Sequence, residues 1–135
     1  MTVSKQKVIG IDTESRVART SLDKAYDVLA TIQIATDNEV FIFDALALKK
    51  KKAPKGIMDN FFKNKTTIVV GHTLSADLNG DVTGLLGFDG QVECQRIDVY
   101  PISFELNPKE GRGLAAISKS MLGKDLCKAY TLTNW

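Results

Sequence analysis

A mixed α/β fold, one sheet flanked by helices, is predicted by three features of this sequence. Short β-branched runs alternate with stretches of helical periodicity, and three strand-like runs precede the first clear helix. A continuous apolar run, "TTIVVGH" over residues 66–72, has the composition of a strand buried on both faces.

The elements follow in order. Residues 7–13 are rich in Val and Ile, residues 28–35 ("VLATIQIA") alternate in part, and residues 39–44 ("EVFIFD") form a β-branched and aromatic run. Between the last two, "TDNE" has turn composition, so a hairpin is expected. A lysine-rich stretch, "KKKKAPK" at residues 49–55, contains Pro54 and reads as a solvated loop; it also suits a nuclear localisation signal or a phosphate-contacting patch. Residues 57–62 ("IMDNFF") predict a short amphipathic helix, and the buried strand of residues 66–72 comes next. Leu74, Leu78, Val82 and Leu85 then lie on one helical stripe. Gly80 and Gly84 weaken such a helix by about 1 kcal/mol each relative to alanine, so close packing against them is expected. A short strand over residues 93–99 and a last helix carrying Leu114, Ile117, Met121 and Leu122, stopped by Gly123, complete the chain.

Composition limits the possibilities. The chain has 135 residues, 44% of them hydrophobic, which suits one compact domain with a real core. Lys and Arg number 18 against 16 Asp and Glu, and the net charge of +2 neither demands nor excludes a polyanionic partner. Cys94 and Cys127 match no metal-ligand spacing and are too few for a disulfide framework, in keeping with a reducing intracellular setting, nucleus or cytoplasm. "MTVSKQK" lacks the apolar segment of a signal peptide, and no apolar run is long enough to span a bilayer, so no membrane association is expected.

The chemistry gathers around "VIGIDTES", residues 8–15. In a strand, side chains alternate faces, so Asp12 and Glu14 point the same way with Cα atoms roughly 6.5–7 Å apart. Two like charges that close raise each other's pKa unless a cation lies between them, and hard divalent cations take carboxylate oxygen. A second segment, "VVGHTLSADL" over residues 69–78, runs a buried strand into a helix with Asp77 in its first turn, where a third carboxylate could complete an oxygen-rich site. Without a metal, the two strand acids are simply solvated and Asp77 complements a helix dipole. Asp81 is an outer neighbour on the same helix or a solvated residue, and His72, the only histidine, is expected to pack or hydrogen-bond.

Taken together, "KVIGIDTES", "IVVGHTLSADL" and "GLAAISKSMLGKDLCKAYTLTNW" resemble the DEDD 3'-5' exonuclease domain of the RNase D and Werner-exonuclease type, over essentially the whole chain. The family's strand D-x-E matches Asp12 and Glu14, and the aspartate of its second motif matches Asp77. Its usual asparagine is replaced here by Thr73. Its third segment is matched by Leu122, Gly123, Lys124, Leu126, Lys128, Asn134 and Trp135.

The resemblance implies an RNase H-like fold, a mixed five-stranded sheet whose first three strands are antiparallel, with helices on both faces. It further implies phosphodiester hydrolysis with two divalent cations, Mg²⁺ or Mn²⁺, about 3.5–4 Å apart. Asp12 would bridge both ions, Glu14 would hold one and help place the water, and Asp77 would hold the other. His72, Thr73 and Lys128 would contact the 3' end of single-stranded RNA or DNA. In the family a Tyr or His four residues before a fourth aspartate follows the S-N-W segment. Neither Asp98 nor Asp125 matches that aspartate, so residues 1–135 are expected to form a single exonuclease-like domain lacking the third motif. Three readings follow: a nuclease domain, an inactive RNase H-like module that binds RNA or a protein, and a generic α/β domain with solvated acids.

Overall fold

A computed structural model describes residues 7–51, 53–56, 58–106 and 113–127. One sheet holds five strands, β1 (Lys7–Arg19), β2 (Ala25–Ala35), β3 (Val40–Asp44), β4 (Thr67–Gly71) and β5 (Gln95–Asp98), in the order β3-β2-β1-β4-β5. The first three are antiparallel, β1 pairs parallel with β4, and β4 pairs parallel with β5. Among the described residues six helices accompany them: α1 (Ala45–Lys51), α2 (Asp59–Phe62), α3 (Leu74–Asp77), α4 (Gly80–Leu85), α5 (Val99–Leu106) and α6 (Leu114–Leu122). The residues predict a mixed sheet flanked by helices, and the five strands with the first three antiparallel are what the resemblance to an RNase H-like domain implies.

Alternation along the strands builds the core. Ile9 and Ile11 of β1, Ile32 and Ile34 of β2 and Val69 of β4 bury one face of the sheet. Against it pack Ala45, Phe62, Leu74, Leu78, Val82, Leu86 and Phe88, with the Phe62 and Phe88 rings 5.0 Å apart. Each buried Val, Leu, Ile or Phe side chain contributes about 1.5–3 kcal/mol. The opposite face is covered less completely: α6 lies across it over a groove of about 620 Å³, and Val40 and Ile42 of β3 remain about two-thirds exposed, at 64% and 65%.

Several expectations need correction. The first two strands are longer than predicted and form a hairpin of their own through residues 20–24, where Thr20 N–H donates to the Lys24 carbonyl at 3.0 Å. The lysine run is not all loop, because Lys49, Lys50 and Lys51 form the last turn of α1. That helix starts because the Asp44 carboxylate accepts the Ala47 N–H at 2.9 Å, and its basic end complements the helix dipole. The predicted helix of residues 57–62 is a single turn, Asp59–Phe62, and residue 57 lies outside the described residues. The helix predicted through residues 74–85 breaks in two: Leu78 leaves helical geometry, and Asn79 Oδ1 accepts the Val82 N–H at 3.0 Å to start α4. Its apolar stripe survives the break, since Leu74, Leu78 and Val82 are all buried. Strand β5 ends at Asp98 because a helix, α5, follows at once. Gly123 caps α6 at φ +65° as expected. No helix among the described residues is long and apolar enough to cross a membrane.

The glycines of α4 overturn the packing expectation as well: a Cβ at Gly80 or Gly84 would meet nothing within 4 Å. Gly71, at the end of β4, is the opposite case, where a Cβ would lie 2.7 Å from Leu74 Cδ1 and 3.1 Å from the Ile11 carbonyl oxygen. Opposite signs are therefore expected in urea denaturation. Gly71→Ala should lose about 1–3 kcal/mol by overpacking, whereas Gly84→Ala should gain up to about 1 kcal/mol of helix propensity.

Candidate active site

The parallel ladder between β1 and β4 ends at the Gly10–Val70 pair, whereas the ladder with β2 continues to Glu14 opposite Thr31. Asp12, Thr13 and Glu14 therefore sit on a strand supported from one side only. The chain leaving β4 turns at His72 and Thr73 and delivers α3 beside this stretch of β1. Ligand sites in sheets of this kind gather at such carboxyl ends, where neighbouring strands lead away in different directions.

Asp12 and Glu14 share a face of β1, and Thr13 shares the other with Ile9 and Ile11. Asp12 lines the groove under α6 together with Gly10, Gln33, Val70 and His72. Thr13 and Ser15 line a second groove of about 750 Å³ against Ala76, Asn79 and Asp81. Asp77 is 5% exposed, and the Thr13 hydroxyl donates to its Oδ1 at 2.5 Å. Burial raises the Asp77 carboxyl above its ordinary pKa; the charges of Asp12 and Asp98 add to the rise, and hydrogen bonds from Thr13 oppose it.

Asp12 and Asp77 are thus brought within electrostatic reach of each other, with Glu14 two residues along the face of Asp12. The convergence expected of the three acids is incomplete: among the described residues no three His, Cys, Asp or Glu groups are placed to hold a metal ion. In their chemistry the donors fit a hard divalent cation. All are carboxylate oxygens, and the unfavourable charge of buried Asp77 beside Asp12 is what a bound cation would relieve.

The remaining predicted residues fall as follows. His72 sets its ring edge-on to Tyr100, with centroids 5.3 Å apart. Thr73 occupies the left-handed region at φ 59°, ψ 44°. Asparagine tolerates that conformation and a β-branched residue resists it, which gives a backbone reason for the family's usual Asn and makes Thr73 a costly replacement. Lys128 lies outside the described residues, as do Asn134 and Trp135. Asp81 is exposed in the first turn of α4, and Asp125 forms an exposed ion pair with Lys119 at 2.8 Å.

The residue that sequence reasoning undervalued is Asp98. Its Oδ1 accepts N–H from Thr73 at 3.0 Å and from Tyr100 at 2.9 Å, and its Oδ2 accepts Leu74 N–H at 3.0 Å. Partial burial works against its charge, but the N–H groups of Tyr100, Thr73 and Leu74, with His72 nearby, outweigh burial and hold the carboxyl below its ordinary pKa. "DVYPIS" carries a local signal of this role, an aspartate just ahead of a helical run with proline in its first turn. The contacts to residues 73 and 74 have no such signal.

The raised pKa of Asp77 fixes the sign of a stability effect. An acid whose folded pKa is raised favours folding while protonated, and that contribution is lost as pH rises through the folded value. In the metal-free protein, Asp77→Asn should therefore have a higher Tm than the parent at neutral pH, and the difference should shrink as pH falls toward 4. Thermal denaturation of both across that range in EDTA checks it.

A family model described as 3'-5' exonuclease matches residues 1–135. No curated protein sequence matches the chain. Among solved structures it is similar to the catalytic core of RRP6 from Trypanosoma brucei, with a TM-score of 0.63 and 19% identity, covering 95% of this chain and 32% of that one. It is also similar to Escherichia coli RNase D, an exoribonuclease involved in structured RNA processing, at TM-score 0.61 and 22% identity, covering 95% and 31%. Brucella melitensis NrnC with bound Mg²⁺ matches at TM-score 0.60 and 15% identity, covering 97% and 61%, and NrnC has also been solved bound to pGG. The chain spans about a third of the RRP6 and RNase D chains. At these identities the structures establish a common fold, and the family model, matched from the first residue to the last, establishes more: the chain belongs to the 3'-5' exonuclease domain family.

Proposed function

We propose that residues 1–135 act as an exonuclease domain that removes nucleotides from the 3' end of single-stranded RNA or DNA, using two divalent cations, Mg²⁺ or Mn²⁺. The observation that carries this is Asp77, held by the Thr13 hydroxyl within electrostatic reach of Asp12 at the one-sided stretch of β1. Family membership and the Mg²⁺ and pGG bound to NrnC support the ion and the nucleic-acid substrate.

Divalent cations supply an acidified water and stabilisation of the leaving 3'-oxygen. Asp12, Glu14 and Asp77 would hold them. The chain's own work is then positional. Thr13 fixes the Asp77 carboxylate by its hydroxyl, β2 keeps Asp12 and Glu14 on one face through an unbroken ladder from Ile11 to Glu14, and His72 lines the same groove as Asp12. That groove, apolar along α6, suits the face of a terminal base, since every base has a π-face that stacks without regard to sequence. Lys128 is proposed as a phosphate contact.

One observation favours the second reading, a module that binds without cutting: among the described residues no three ligating groups converge. A 5'-labelled single-stranded oligonucleotide, as RNA and as DNA, incubated with Mg²⁺ or Mn²⁺ separates the two. Nuclease action predicts stepwise shortening from the 3' end, cut at least about a hundredfold by Asp12→Ala, a loss of the size found for one preorganised catalytic group. Binding of the oligonucleotide with no shortening in either ion would support the second reading instead.

A further inference from the structure

Helix α3 is one turn long, bounded by N–H bonds from Ala76 to the Thr73 carbonyl at 2.9 Å and from Leu78 to the Leu74 carbonyl at 2.9 Å. An isolated turn has no stability of its own. It is also entered through Thr73, a β-branched residue held at φ 59°, a conformation that persists only where surroundings impose it. Something outside the helix must therefore hold both the turn and the corner that leads into it.

Two contacts do so from opposite ends. At the far end, Thr13 donates to Asp77. At the near end, the two oxygens of Asp98 take the Thr73 and Leu74 N–H groups, which would otherwise be unsatisfied at a helix start. Asp98 sits opposite Gly71 in the parallel pairing of β4 with β5, so its backbone is anchored by the sheet rather than by the corner it serves. The same Oδ1 takes the Tyr100 N–H, which places Tyr100 at the start of α5, its ring against His72.

We propose that Asp98 is a positioning residue for the acidic site: through Thr73 and Leu74 it sets where α3 presents Asp77 to Asp12. This rests on the reading of Asp12 and Asp77 as cation-holding acids. Asp98 itself ligates nothing in this proposal and acts through the backbone it accepts from.

Asp98→Asn tests it, because the side chain keeps its shape while one acceptor oxygen becomes an N–H donor facing an N–H. Calorimetric titration of the 135-residue chain with Mn²⁺ alone is expected to show affinity weakened about tenfold, the lower end of the range for partners that orient metal ligands. Asp44→Asn is the comparison, since Asp44 also accepts a helix-start N–H, that of Ala47, but on α1. Its remaining amide oxygen can keep that one bond, so Mn²⁺ affinity should be unchanged. Adding Thr73→Asn to Asp98→Asn should recover part of the affinity, because asparagine adopts the left-handed corner at less cost.

Unchanged Mn²⁺ affinity in Asp98→Asn, or an equal loss in Asp44→Asn, overturns the proposal. If the parent chain takes no Mn²⁺, the cation reading fails by itself and amide exchange decides the positioning role. Faster exchange at Thr73, Leu74, Ala76 and Leu78 in Asp98→Asn, absent in Asp44→Asn, upholds it. Unaltered exchange at those four amides rejects it.

Discussion

Strand β1 pairs with β4 from Lys7 to Gly10 and with β2 from Gly10 to Arg19, and everything at the acidic site depends on where the β4 ladder stops and β2 alone carries the strand on. Up to Gly10 the strand is held against β4, with Ile9 buried beside Val69, and at Gly10 the two ladders overlap. From Ile11 onward the β4 flank is vacated, and α3 packs beside this stretch of β1 and brings Asp77 to the Thr13 hydroxyl. A fully paired β1 would seal that approach. An unpaired β1 would leave Asp12 and Glu14 without a common face.

Local sequence and distant partners divide the work unequally. The helix caps are local: Asp44 starts α1 and Asn79 starts α4 through bonds to residues three positions on. The corner at His72 and Thr73 is not local, since its backbone groups are satisfied by Asp98, some 25 residues later. Asp77 likewise depends on Thr13, 64 residues earlier. The site is thus made from pieces that are each marginal alone, and its precision comes from long-range bonds anchored in strands. Burying Asp77 beside a second acid costs stability in the metal-free chain, which the apolar contacts of Leu74 and Leu78 on either side of it offset.

Much of this could be read from the residues. Alternation in "VIGID" and the apolar run "TTIVVG" located β1 and β4, and the stripe of Leu74, Leu78 and Val82 identified the face that α3 and α4 bury even though the helix breaks between them. The D-x-E pair and Asp77 were visible as candidates because carboxylates at strand ends are chemically conspicuous. The start of α1 carries a local signal in "DALALKKK", an acid before the helix and a basic end after it, whereas the lysine run alone reads as a loop. What was not legible is any feature made by two distant segments meeting. Leucine 78 gives no local hint of leaving the helix beyond the Asn-Gly that follows. Nothing near Asp98 in sequence announces that it serves residues 73 and 74.

The irregularity in the β1–β2 ladder has a further consequence. Pairing runs in one register up to Glu14 opposite Thr31 and resumes with Ser15 opposite Leu29, leaving Ala30 as the extra residue. Such a bulge acts as a mechanical joint. Beyond it, Arg16 to Arg19 and the tight connection at residues 20–24 form a separate ribbon, so length changes at the hairpin tip can be taken up at Ala30 without rotating Asp12 or Glu14 to the wrong face. The outer hairpin is therefore free to diversify, in length and in charge, while the acids keep their orientation.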